Sequence, residues 1–131
     1  MADFEGLPLK IQQLAEDQLN SLSIRFCAVG GSQVFQPDFV LVTTNRILVL
    51  AEQSIGLLSY AAVRCNLNFQ QITSLTVEQT LWQKLTYQSR LKIETAQEIY
   101  FVNGLSLPDA KKIITLIESY AGSKELLEKL Q

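Results

Sequence analysis

The run FVLVTTNRILVL, Phe39 to Leu50, decides the fold. Two apolar, largely β-branched or aromatic segments, 39–43 and 47–51, are separated only by Thr44, Asn45 and Arg46. The gap is too short for anything but a tight turn, so the spacing predicts a β-hairpin. Asn45 is the expected turn residue because asparagine tolerates left-handed backbone angles. Arg46 then enters the second strand at its rim.

Downstream, VRCNLNFQ alternates cleanly: Val63, Cys65, Leu67 and Phe69 point one way, and Arg64, Asn66, Asn68 and Gln70 the other. Four matches in a row predict a half-buried strand. A further strand is expected over 72–79 with Leu75 and Val77 inward, and a last hairpin from 90–95 and 98–103 across Ala96 and Gln97. Leu91 and Ile93 alternate there with Lys92 and Glu94, which is antiparallel patterning with one wet face. Upstream, Leu22, Ile24, Phe26 and Ala28 alternate with Ser23, Arg25 and Cys27. Gly30, Gly31 and Ser32 end that strand and open the loop GGSQVFQPD.

Helices bracket the strands. Pro8 suits a first turn, and Leu7, Ile11, Leu14, Ala15, Leu19 and Leu22 recur at helical spacing, predicting a helix over 8–20. Near the end, SLPD reads as a capping box, with Ser106 as cap and Asp109 three residues on. Ala110, Ile113, Ile114, Ile117 and Tyr120 form one apolar stripe over 107–121. Gly122 is the expected terminator, and 123–131 form a helical tail. The 131 residues suit one domain, 1–131, with its strands in 22–103.

Composition excludes several function classes. Hydrophobic residues make up 47% and charged residues 18%, enough for a core. The net charge of −2 and pI of about 5.1 give no global attraction for nucleic acid. There is no histidine, which removes the usual general base and the commonest metal ligand. Cys27 and Cys65 lack partners at ligand spacing, and no glycine-rich phosphate loop opens a helix, so neither metal nor cofactor is expected. MADFEGLPLK has no basic region ahead of an apolar one, so the chain is expected to be cytoplasmic, with reduced cysteines.

A seven-strand antiparallel array closed by a C-terminal amphipathic helix is the order of the pleckstrin-homology superfold. FVLVTTNRILVL resembles the strand–T-x-R–strand hairpin of bacterial pleckstrin-homology-like and GRAM-like domains. FQQITSLTVEQ, LKIETAQEIYF and LSLPDAKKIITLI are similar to that family's next strand, last hairpin and closing helix. The resemblance runs from about Leu22 to Tyr120. It implies a seven-stranded barrel closed by the C-terminal helix, here with an added N-terminal helix. Gln97 stands where the family often has glycine, so that turn is expected to be of another type. In such a fold Arg46 would hold the hairpin turn with Asn45.

The resemblance implies a non-catalytic interaction module that contacts a protein partner or its own copies through strand edges. Family members that bind phosphoinositides place cations in the first hairpin loop, whereas GGSQVFQPD holds none and one acid, Asp38. A weak grip on anionic lipid at the inner face of the membrane is the alternative, using Lys84, Arg90 and Lys92. The candidate surface is TLWQKLTY: Leu81, Trp82, Leu85 and Tyr87, with those cations beside them. Trp82 is the sole tryptophan, and two readings stay open for it, an exposed contact group or a plug folded onto the barrel end.

Overall fold

The computed structural model describes residues 4–19, 24–31 and 37–130. The expected helix end at Asn20, the strand start at Leu22 and Ser23, and loop residues 32–36 lie outside them, as does residue 131. Chain order is α1 (Leu9–Gln18), β1 (Phe26–Val29), β2 (Asp38–Val42), β3 (Arg46–Ile55), β4 (Leu58–Asn68), β5 (Ile72–Glu78), α2 (Leu81–Thr86), β6 (Gln88–Thr95), β7 (Ile99–Ser106) and α3 (Leu107–Leu130). Two antiparallel sheets, β1-β2-β3-β4 and β5-β6-β7, face each other.

Val40, Val42, Ile47 and Val49 turn inward to meet Leu91, Ile93 and Val102 of the second sheet. Ala110, Ile113 and Ile117 of α3 close the side of this core. Phe39, Leu41, Leu48 and Leu50 point the other way, where Leu7, Ile11, Ala15 and Leu19 cover them. This accounts for a hairpin apolar on both faces: the first sheet is a middle layer between the sandwich core and α1. Cys27 belongs to the outer cluster, while Phe26 and Ala28 belong to the inner one.

A closed barrel does not form. Among the described residues no ladder joins β4 to β5 or β1 to β7. Between β4 and β5, Phe69–Gln71 winds into a 3-10 turn. The Asn68 side chain accepts from Gln70 N, and Gln71 Oε1 accepts from Asn68 N, so these backbone donors serve the turn and not a ladder. Phe69 is therefore a buried turn residue, not a strand residue. At the opposite seam Gly31 N donates to Asn103 O at 2.6 Å. Gly104 bulges out of β7 there with φ +75, and a Cβ on it would sit 2.1 Å from the Gly31 oxygen. Only glycine fits.

Both short hairpins share one device. Thr43 Oγ1 accepts from the backbone N of Asn45 (3.2 Å) and Arg46 (2.9 Å), and Thr95 Oγ1 does the same for Gln97 (3.3 Å) and Glu98 (3.0 Å). The threonine hydroxyl thus satisfies the turn's donors. Among the described residues Tyr87 is the only non-glycine with positive φ, so Asn45 is not left-handed and Gln97 needs no glycine.

The alternation over Val63–Phe69 breaks at Arg64. Val49 pairs with Cys65 but Leu50 with Val63, so Arg64 is the extra residue of a β-bulge. Val63 consequently shares the outer face of Leu50 and is 41% exposed, contrary to its expected inward place. Beyond it β3 and β4 run on as an arm turning at Gly56 (φ +61) and Leu57. The terminating role expected of Gly122 is also overturned, because α3 continues to Leu130. Its start matches expectation: Asp109 N donates to Ser106 Oγ at 3.2 Å.

Candidate interaction surface

TLWQKLTY is not a loop. Thr80 Oγ1 accepts from Gln83 N at 3.1 Å while Gln83 Oε1 accepts from Thr80 N at 2.9 Å, a capping box that starts α2. Thr86 Oγ1 donates back to the Trp82 and Gln83 carbonyls. Tyr87, at φ 57, ends the helix and donates its N–H to Gln83 O. The Tyr87 carbonyl then accepts from Leu107 N at 2.9 Å, which ties α2 to the first turn of α3.

So short a helix cannot bury all its apolar groups. Leu81 is 79% exposed, Trp82 73%, Leu85 69% and Tyr87 75%. Trp82 is thus no plug. Four large apolar groups on eight residues of chain form the kind of patch that marks a contact surface.

The cations expected beside this patch are mostly spoken for. Arg90 and Glu78 face each other across β5 and β6 and form an ion pair, with Nε to Oε2 at 3.1 Å. The hydrogen bond from Arg90 holds the Glu78 carboxyl below the usual range. The Arg90 guanidinium lies 4.4 Å from the Phe101 ring centroid. Lys92 is 3.0 Å from Glu94 and 4.0 Å from Glu78, and its hydrogen bond to Glu94 raises its pKa. Lys84 stands apart from that network, in a cleft with Val77, Gln79, Leu107 and Lys111.

Asn45 and Arg46 lie at the opposite end. Asn45 O accepts from Phe69 N at 3.0 Å, and Arg46 Nη1 donates to Asn66 Oδ1 at 2.8 Å. Asn66 in turn donates to Gln18 Oε1, so the arginine sits in a chain of contacts linking β3, β4 and α1. Arg64 Nη1 bonds Asp38 Oδ2 at 2.5 Å, and burial raises the Asp38 carboxyl from 3.8 more than the guanidinium lowers it. Both cysteines are buried and outside any disulfide, and burial pushes the Cys65 thiol up to about 11, leaving it a poor nucleophile.

Two features escaped the sequence reading. The arm tip exposes Ile55, Leu57 and Leu58, signalled only by Gly56 standing among apolar residues. Lys111, two residues after the SLPD cap, comes near Lys84 only through the Leu107–Tyr87 bond, which has no local pattern.

No curated protein matches the chain. The model of the family described as Bacterial PH domain matches residues 39–121, from the second residue of β2 to within α3, leaving α1 and β1 outside. With well over half its length matched, and two antiparallel sheets flanked by a C-terminal helix, the chain belongs to the bacterial PH domain family.

Proposed function

We propose that this domain is a non-catalytic interaction module that holds a protein partner, or another copy of itself, through the outer surface of α2. The observation that supports the reading is the outward set of Leu81, Trp82, Leu85 and Tyr87 on a helix whose ends are fully capped. A defined backbone presenting exposed aromatic and aliphatic groups is suited to a binding anchor. Membership of a family of binding modules agrees with this, as does a chain without histidine and with its thiols buried. The reading places the domain in the cytoplasm. No helix among the described residues is long and apolar enough to cross a membrane.

Anionic lipid is the less supported occupant, because Glu78 and Glu94 already neutralise Arg90 and Lys92. The test is Trp82→Ala, followed by light scattering and partner capture beside a thermal melt. Burying a tryptophan at an interface centre carries about 2 kcal/mol or more of binding, so assembly or capture weakens while the melt stays nearly unchanged. Unfolding of the variant, or intact assembly and capture, refutes the reading. Pelleting with anionic vesicles that is lost at high salt would favour lipid instead.

A further inference from the structure

Beside α2 lies a cleft of about 390 Å³ lined by Val77, Gln79, Lys84, Leu107 and Lys111, with no carboxylate in its wall. Two lysines line it. Among the described residues neither Lys84 nor Lys111 makes an ion pair, whereas Arg64, Arg90 and Lys92 all do. Their relative position is set by backbone, since Leu107 N holds Tyr87 O and so fixes the end of α2 against the first turn of α3. Gln79 Nε2, bonded to Gln88 O at 2.9 Å, braces the same wall. Lys84 also lies three residues after Leu81 on α2, which makes the two neighbours on one helical face.

From this juxtaposition we infer that the α2 surface recognises an acidic peptide segment of a partner protein, an Asp or Glu side chain entering the Lys84/Lys111 cleft while a neighbouring aliphatic or aromatic residue packs on Leu81, Trp82 and Leu85. The inference rests on the contact-surface reading above and names its partner's chemistry. Charge complementarity selects the occupant. A concave notch with apolar walls, Val77 and Leu107, accepts a single carboxylate-bearing side chain. An anionic bilayer would instead meet the carboxylates of Glu78 and Glu94 on the adjoining sheet face.

Trp82, the sole tryptophan, reports on the site directly. The full chain is titrated with two tryptophan-free peptides of equal length and identical Leu and Phe positions. One carries Asp and Glu, and the other Asn and Gln at the same places. The acidic peptide shifts the Trp82 emission with about tenfold higher affinity at low salt, the sum expected of two partly exposed ion pairs. The double variant Lys84→Gln with Lys111→Gln binds both peptides equally, at the amide peptide's affinity, with an unchanged melt. Equal affinities in the unmodified protein overturn the acidic preference and leave the apolar contact reading standing. Binding of neither peptide overturns the acidic inference as well, and a response to phosphatidylserine vesicles but not to peptides replaces it with lipid.

Discussion

Truncating Ile11 to alanine tests whether α1 is structural or ornamental. Ile11 is 1% exposed and sits among Leu7, Ala15, Leu19, Phe39, Leu41, Leu48 and Leu50. Removing its outer carbons loses their transfer energy and leaves a void. Buried Ile→Ala changes cost about 2–5 kcal/mol, depending on how far the surroundings collapse. Here α1 is pinned at two points: Lys10 Nζ donates to Ser59 O at 2.6 Å, and Gln18 Oε1 accepts from Asn66 Nδ2 at 3.1 Å. The helix can still settle slightly toward the sheet, which places the cost in the lower half, about 2–3 kcal/mol. For a chain of this size that lowers the thermal midpoint by on the order of 10 °C. Leu9→Ala is the control: the same helix, but a side chain 68% exposed, so the change stays within about 0.5 kcal/mol. Urea denaturation of both variants reads the difference. If Ile11→Ala behaves like Leu9→Ala, the outer cluster is not part of the cooperative core and the middle-layer account of the first sheet fails.

Other expectations follow from burial and charge. Phe69→Ala should cost about 3–5 kcal/mol and Ile117→Ala about 2–5, since the two fill the inner core from the β4–β5 turn and from α3; unchanged denaturation midpoints would mean the packing is misassigned. Cys27 and Cys65 should resist a thiol reagent in the native protein and both react once it is unfolded; fast labelling of the folded chain would contradict their burial. Because burial raises the Asp38 carboxyl above 3.8, folding favours its protonated form, and its contribution to stability is greatest below that value and is lost as pH rises through the folded pKa. Asp38→Asn, which cannot ionise, should therefore gain on the unmodified protein between about pH 3 and about pH 7. A stability gap that stays flat across that range would refute the assignment.

The strands were legible because their patterns are local. Leu91 and Ile93 alternate with charged neighbours, and the structure buries the first pair and leaves Lys92 and Glu94 on the wet face. The closing helix was legible for the same reason, its stripe of Ala110, Ile113 and Ile117 being its buried side. Closure of the barrel was not, because whether β4 pairs with β5 depends on how Asn68 and Gln71 spend their side chains on a 3-10 turn. Nor was α2, although Thr80 and Gln83 stand at capping-box spacing; six residues are too few for periodicity to show. The exposure of Trp82 follows from that helix, and composition alone left it balanced between surface and plug. The pairing of Arg90 with Glu78 needed the β5–β6 register, which no single strand encodes.

The extra residue at Arg64 has a consequence for how this gene can change length. Strand alternation is a two-beat frame, and the bulge shifts that frame once, so that Ala61 and Val63 lie toward the α1 side while Cys65 and Leu67 lie toward the sandwich. Deleting Arg64 would set Val63 directly beside Cys65, opposite the consecutive Leu50 and Val49, so the arm from Leu58 to Val63 would keep its partners and its faces while Asp38 lost its cation. Substitutions along the arm alter one side chain at a time. A one-codon loss at position 64 would shorten β4 without exchanging the arm's faces, so its cost falls on the Asp38 pair and not on the strand pattern.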